Sequence, residues 1–551
     1  TPKLMDDGKA TESLFSLAFT LARLGHLLDH QDWIDETATL TSGPLPTERQ
    51  GGVYVAREFC DYLVEIGRYA DAERLLTEMV SQQVRAQAAA QNEMHYGSDT
   101  ADDLARLTVL YWKAGRMDDV LAMLEKAPWW GAKDLADLMH EDSLFTATAA
   151  ALHSAGRDQE ALQVVEAALQ RQPGQDDNYK ILVDIQGTKA LPQLDALYQR
   201  DRFEERPLIW KSVLLMKAGQ LEAAEKTIRE AMRVDPTDGE QKKGDRVHAY
   251  AVLAEILNAQ GKTNDAAFFL NVVESVRIAE RGDEFKEAGL LQQSLDLYTQ
   301  AQSYFADAYC VQWRLAERLH EKGDFKGAQE HYRIAFERMP EQFGQVASLC
   351  FGCEGIFDKP QTRSVAEEVL LRLERDNPER PQVYFLLGQL RQAQGRNKEA
   401  YQYYRRAVEL DPDYLDVWEK IRGISESLFM PARERDAISL HMLKLDPLQR
   451  HFSIQLDEIT DIKGLWMELD KDRKFALPAP QSVLPLPAST RQLEEQQKTQ
   501  SREQRMSSAF SRWYSWNEQN KTPSPGNYLA RHALVNALMQ WAAQAGMEGE
   551  D

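Results

Sequence analysis

At 551 residues with 43% hydrophobic side chains, the chain is long enough for several globular domains or one extended array. Asp and Glu outnumber Lys and Arg by 87 to 65, a net charge of −22 that argues against a nucleic-acid partner held by its phosphates and against an anionic membrane surface. The sequence has no run of 18 apolar residues, so no membrane insertion is expected, and its four cysteines do not make a disulfide framework.

The chain begins at Thr1 rather than Met, as a processed or trimmed chain would, and its low cysteine content fits a cytoplasmic or an exported, periplasmic setting equally. From Glu12 to about Asp35 apolar residues recur at helical spacing, which predicts one helix ending before Trp33, the second half of a hairpin. A turn-rich loop follows from Leu40 to Gln50, closing an N-terminal helix-and-loop segment, 1–51.

Helix pairs then recur. Val53–Val80 turns at Gly67-Arg68, Asp102–Ala127 at Gly115-Arg116, and Asp142–Pro173 at Gly156-Arg157. A weaker pair spans Gln175 to Arg200 around Gly187. Arg206–Pro236 turns at Gly219, Val247–Val276 at Gly261, and a degenerate pair turns near Gly289 with Tyr298 and Ala301 in its second helix. Tyr309–Pro340 turns at Gly323, and Ala347–Pro378 is recognisable by Ala366, Leu370 and Pro378. A last copy ends at Leu443–Pro447. Each element has a backbone or packing reason. Glycine takes the left-handed residue that ends the first helix, alanine lets two helices approach, and proline stops the second helix.

The clearest copy is Tyr384–Pro412. Tyr384, Leu387, Gly388, Ala400, Tyr404 and Pro412 stand where the tetratricopeptide repeat has its aromatic, Leu-Gly, Ala, aromatic and Pro over a period of about 34 residues. Arg391 replaces the usual first-helix Tyr. The chain therefore resembles the tetratricopeptide-repeat (TPR) family over residues 52–447. The resemblance implies an all-α fold, a right-handed, bacterial-type α-solenoid of helix hairpins. Segment 448–489 is expected to hold a helix and a Pro-rich linker. Segment 490–551, with the Trp513-Tyr514-Trp516 cluster, is expected to form helices that cap or dock on the array.

Motifs with chemical potential are few. His26 and His30 have the i, i+4 spacing of metal ligands, and with Asp29 they resemble an inverted zincin signature, but no third ligand is identifiable. Cys350 and Cys353 form a lone CxxC without the second pair a zinc ribbon needs. Phosphate loops, nucleophile elbows and kinase signatures are absent, so no catalytic residue, metal, cofactor or enzyme activity is expected.

By the resemblance, the first helix of each hairpin lines a concave, peptide-binding surface. Carried over hairpin by hairpin, the lining residues are Tyr54, Arg57 and Asp61, then Trp112, His153, Glu255 and Asn258, then Trp313, Glu317, His320, Phe385 and Gln389. These would make an acidic, aromatic-lined groove for a protein or peptide with Lys/Arg and apolar anchors. Two alternatives stay open: the chain's own tail fills the groove, or the array is the recruiting arm of a larger enzyme or assembly machine.

Overall fold

The computed structural model describes residues 8–42, 53–89, 98–126, 143–171, 173–235, 247–344, 355–446, 450–452 and 454. Among these residues every regular element is helical, as expected of an all-α repeat fold. The helices fall into two compact units, one up to Gln186 together with Glu287–Gly289, and one formed by the other described residues from Gly187 onward. Residues 455–551, which include the Pro-rich linker and the expected C-terminal cap, lie outside the described residues, as do Cys350 and Cys353.

The first unit pairs α1 (Gly8–Leu27) with α2 (Gln31–Leu40), and α3 (Val53–Glu65) with α4 (Tyr69–Ala89). It continues with α5 (Ser98–Lys113) and α6 (Met117–Lys126), α7 (Ser143–Ser154) and α8 (Asp158–Arg171), and ends on α9 (Asp176–Gln186). The second unit opens with a 3-10 turn at Gly187–Ala190 and α10 (Leu191–Arg200). There follow α11 (Arg206–Lys217) and α12 (Leu221–Val234), then α13 (His248–Ala259), α14 (Thr263–Glu287) and α15 (Leu291–Tyr304). The remaining helices are α16 (Tyr309–Glu321), α17 (Phe325–Arg338), α18 (Pro360–Asp376), α19 (Pro381–Ala393), α20 (Asn397–Leu410), α21 (Leu415–Ser425) and α22 (Ala432–Leu445).

The turns follow the glycines. Gly67, Gly115, Gly156, Gly219, Gly261, Gly289, Gly323 and Gly395 all sit at φ between 72° and 86°. At Gly395 the next amide, Arg396 N–H, reaches back to the Arg391 carbonyl at 2.8 Å, which satisfies a helix-end acceptor. A side chain there would meet no atom within 4 Å, so the requirement for glycine is one of backbone and not of space. Four of these glycines precede an arginine that clamps the first turn of the next helix. Arg68, Arg116, Arg157 and Arg396 donate from Nε to Asp71, Asp119, Glu160 and Glu399 at 2.7–2.8 Å.

Gly388 serves a different purpose. A Cβ there would collide with the ring of Tyr404, and one at Gly282 would collide with the ring of Tyr298. Both rings are buried, and both lie on the second helix of their pair. Close helix approach therefore depends on a small residue facing a large one. On α20 the buried residues Ala400, Tyr404, Ala407 and Val408 form a single stripe, with Arg405, Arg406 and Glu409 exposed on the other side.

Two expectations need correction. The N-terminal segment is a whole hairpin and not the end of one helix, since the chain turns at Leu28–His30. The left-handed residue there is Asp29 at φ 58°, so no glycine marks the turn. The pairs expected at Val247–Val276 and around Gly289 share one unbroken helix, α14. Its first half follows the Gly261 turn, and its second half carries Gly282 against Tyr298. Between the two, residues 277–281 include no breaker.

Candidate interaction surface

In the first unit, α3 is buried at Val53, Ala56, Arg57, Phe59, Cys60 and Leu63. Tyr54, Glu58 and Asp61, at i, i+4 and i+7, face solvent, with the Tyr54 ring 73% exposed. Arg57 does not join that stripe. It is buried, and its Nε donates to Asp103 of α5 at 2.7 Å; Gln83 donates to the other Asp103 oxygen at 2.9 Å. Asp61 pairs with Arg106 of α5, so the two helices exchange ion pairs in both directions. Trp112 is half-buried with Lys113 Nζ 4.0 Å from its ring centroid, and His153 bonds Asp158 at 2.7 Å.

The two histidines considered as metal ligands do not share a helix face. His26 lies in α1, while His30 follows the left-handed Asp29 and stacks on Trp33 at 4.3 Å. Cys60 is wholly buried, which pushes its thiol pKa up, away from reactivity.

In the second unit, α13 is buried at Val252, Leu253, Ala254, Ile256 and Leu257, while Glu255 and Asn258 are exposed. The equivalent faces of α16 and α19 behave otherwise. Trp313 is 2% exposed, packed on Tyr332 at 4.9 Å and Phe336 at 6.1 Å. Phe385 is fully buried against Tyr414 at 5.3 Å and Phe343 at 6.4 Å. These two aromatics are core residues that a partner cannot touch while the unit is folded this way. Glu317 accepts from Lys359 and from the Tyr332 hydroxyl. Burial would raise its carboxyl, but those two donors outweigh it and hold the pKa below the usual range. His320 meets Gln361 at 3.1 Å, and Gln389 keeps a buried carbonyl oxygen with no hydrogen-bond partner.

The apolar cluster that holds Trp313 and Phe385 also takes in residues from far along the chain. Their apolar cluster includes Phe203, from the connector between α10 and α11, and Phe452 and Ile454, from the segment after α22. Polar contacts fix the same meeting. His451 Nε2 lies 3.1 and 3.3 Å from the two Asp201 carboxylate oxygens, and its ring meets Phe203 edge-on at 5.7 Å. The His451 amide donates to Asp446 at 2.9 Å, and Arg450 is 3.5 Å from Asp201. On the connector, Arg206 Nη1 lies 2.7 Å from Glu204 and 3.1 Å from Glu205. Burial would lower the His451 pKa, yet the hydrogen bond and charge of Asp201, with Asp446 and Glu204, raise it to about 9. Burial raises Glu204 and Asp446. Burial would also raise Asp201, but His451 and Arg450 overcome that and lower it.

Sequence reading did not single out this cluster. Its only trace is a connector, Asp201–Arg206, with five charged residues out of six, a composition that ordinarily marks a solvated loop.

Comparison with known proteins bears on the hairpins. Residues 381–414 and 206–238 each match a model of the tetratricopeptide repeat. A UDP-N-acetylglucosamine–peptide N-acetylglucosaminyltransferase of Giardia intestinalis is 32% identical over 111 residues, which is 20% of this chain and 7% of that relative's length. A solved human IFIT1 dimer with m7Gppp-AAAA aligns at TM-score 0.24 and 13% identity, over 72% of this chain and 90% of its own. The APC/C hetero-tetramer Cut9-Hcn1 aligns at TM-score 0.23 and 11% identity, over 79% of this chain and 81% of its own. Likeness at that level says nothing about ligands. The matched segments are α11–α12 and α19–α20, and their left-handed glycine turn recurs at Gly67, Gly115, Gly156, Gly261, Gly289 and Gly323. The chain carries tetratricopeptide repeats, matched by the family model at residues 206–238 and 381–414.

Proposed function

We propose that the chain is a protein-interaction scaffold that takes up partner segments on the first-helix faces its own packing leaves open. The repeats themselves suggest protein–protein interaction. The observation that carries the reading is the α3 stripe. A helix buried on its other sides keeps Tyr54, Glu58 and Asp61 in line and in solvent. An exposed aromatic beside carboxylates suits a partner with a Lys or Arg next to an apolar anchor. Glu255 and Asn258 on α13 offer the second unit's smaller counterpart.

The test is a peptide-array screen with the intact chain. Wild type should select Lys/Arg next to an aromatic or aliphatic residue. Tyr54→Ala with Glu58→Lys should weaken the selected peptide about tenfold, roughly 1.4 kcal/mol. No selection, or selection unchanged by the double substitution, would count against the reading.

A second reading is that the array recruits substrate for an enzyme. It rests on the 32% identity to part of a peptide glycosyltransferase. Purification from the native host with a transferase in stable association would favour it, and repeated recovery without one would count against it.

A further inference from the structure

Hairpins built from the same small and apolar residues present nearly the same face to every copy, and repeat arrays misassemble for that reason. Burial of Ala, Leu and Ile does not tell the right neighbour from a wrong one. A charged rim does, because a mismatch sets like charges face to face. We propose that this chain carries such a rim. An acid placed directly after a buried residue in the opening turns of a second helix is matched by a cation of the hairpin that follows, and the match specifies which hairpin stacks on which.

The acid recurs at one register. Asp35 follows the buried Ile34 on α2, Glu73 follows Ala72 on α4, and Asp195 follows Leu194 on α10. Glu225 follows Ala224 on α12, and Glu367 follows Ala366 on α18. Each is met from the next hairpin. Arg68, Arg116 and Lys262, one residue past their turn glycines, reach back to Asp35, Glu73 and Glu225 at 2.6, 2.7 and 2.8 Å. Lys211 of α11 and Arg391 of α19 reach Asp195 and Glu367 at 2.5 and 2.6 Å. Each of these contacts lies within a single unit.

The cations are arranged for the crossing. Arg68 and Arg116 spend Nε on their own helix, on Asp71 and Asp119, and turn Nη1 to the preceding hairpin. The Arg116 guanidinium also lies 4.3 Å from the centre of the Tyr111 ring, whose hydroxyl donates to Glu73 at 3.1 Å. Arg68, Lys262 and Arg391 are the foremost cause that lowers the carboxyl pKa of Asp35, Glu225 and Glu367 respectively. Leu121, Leu162 and Leu295 hold the same position on α6, α8 and α15, so the acid is not a requirement of the helix itself. Exposed pairs of this kind add little net stability. Their recurrence at one register therefore points to discrimination between neighbours, as charged flanks do in paired helices.

The experiment uses the full chain and the pair Asp195–Lys211. Asp195→Lys, Lys211→Asp and the two together are compared with wild type at low salt. Each single variant sets like charges across the junction, and the double restores opposite ones. Amide hydrogen exchange in α10 and α11 should be about tenfold faster in each single variant and within about threefold of wild type in the double. Recovery of folded protein after dilution from urea should fall by at least half in each single variant and return in the double. In about 1 M salt, where the screening length is roughly 3 Å, the single variants should approach wild type in both measurements.

A double variant no better than the singles overturns the inference. So does exchange that recovers in the double while refolding recovery is the same in all four chains, since the pair would then stabilise a stack that it does not choose. Should circular dichroism show a single variant unfolded, Asp195→Asn, Lys211→Gln and their double replace the set. There the double should exchange and refold no worse than either single, and additive losses overturn the inference.

Discussion

Arg314→Ala is expected to destabilise the second unit by about 3–5 kcal/mol, the cost of leaving a buried carboxylate without its partner. Arg314 is almost wholly buried. Its Nε lies 2.8 and 3.0 Å from the two Asp283 oxygens, and its Nη2 lies 2.7 Å from Oδ2. The Tyr298 hydroxyl donates to the same carboxylate at 2.6 Å. Burial alone would raise the Asp283 pKa, yet Arg314 and Tyr298 hold it below the usual range. Asp283 and Tyr298 come from α14 and α15, and Arg314 from α16, so one ion pair ties three helices together. The informative companion is Arg314→Met with Asp283→Leu. An apolar pair of similar size should recover most of the loss, because the expense lies in the orphaned charge and not in the absent attraction. Thermal unfolding and hydrogen exchange along α14–α16 check both. A loss under 1 kcal/mol for Arg314→Ala would show that the pair is solvated.

Phe385→Ala is expected to cost a similar 3–5 kcal/mol, as truncation of a core aromatic does. A ring lining an open groove would cost under about 0.5 kcal/mol. The difference separates two accounts of the same residue. On sequence alone Phe385 belongs to a binding face, whereas in the fold it is enclosed by Phe343, Tyr404 and Tyr414. Hydrogen exchange in α19 and α20 should speed up for Phe385→Ala and stay unchanged for the half-buried Gln389→Ala.

These cases mark how far the sequence could be read. Turns and crossings were legible because their causes are local. Gly395 needs a left-handed backbone, and Gly388 faces Tyr404 within one hairpin, so both leave a signal within a few dozen residues. The turn at Asp29 was not legible, because aspartate can take that conformation without announcing it. The same holds for Phe429, at φ 54° between α21 and α22. Whether a first-helix face is open was legible for Tyr54 and Glu255 but not for Trp313 and Phe385. An aromatic reads the same whether water or another segment lies over it. The rings that enclose them come from neighbouring helices, and other contacts of this unit lie further off, the Asp201–His451 contact spanning 250 positions. No periodicity reports on such a meeting. Buried carboxylates such as Glu204 and Glu205 likewise read as a solvated connector until their neighbours are known.

The most direct measurement is the titration of the His451 ring, followed by NMR in the full chain and assigned with His451→Gln. If the ring sits between Asp201 and Asp446 with Glu204 nearby, its pKa should lie near 9, above the ordinary 6.5. The sign follows from that shift. A raised pKa in the folded state means that the contact stabilises fully below about pH 6.5 and loses its contribution as pH rises through 9. Hydrogen exchange at the start of α11 should quicken over the same range. A ring that titrates near 6.5, with α11 indifferent to alkaline pH, would place His451 in solvent and contradict its buried contact with Asp201.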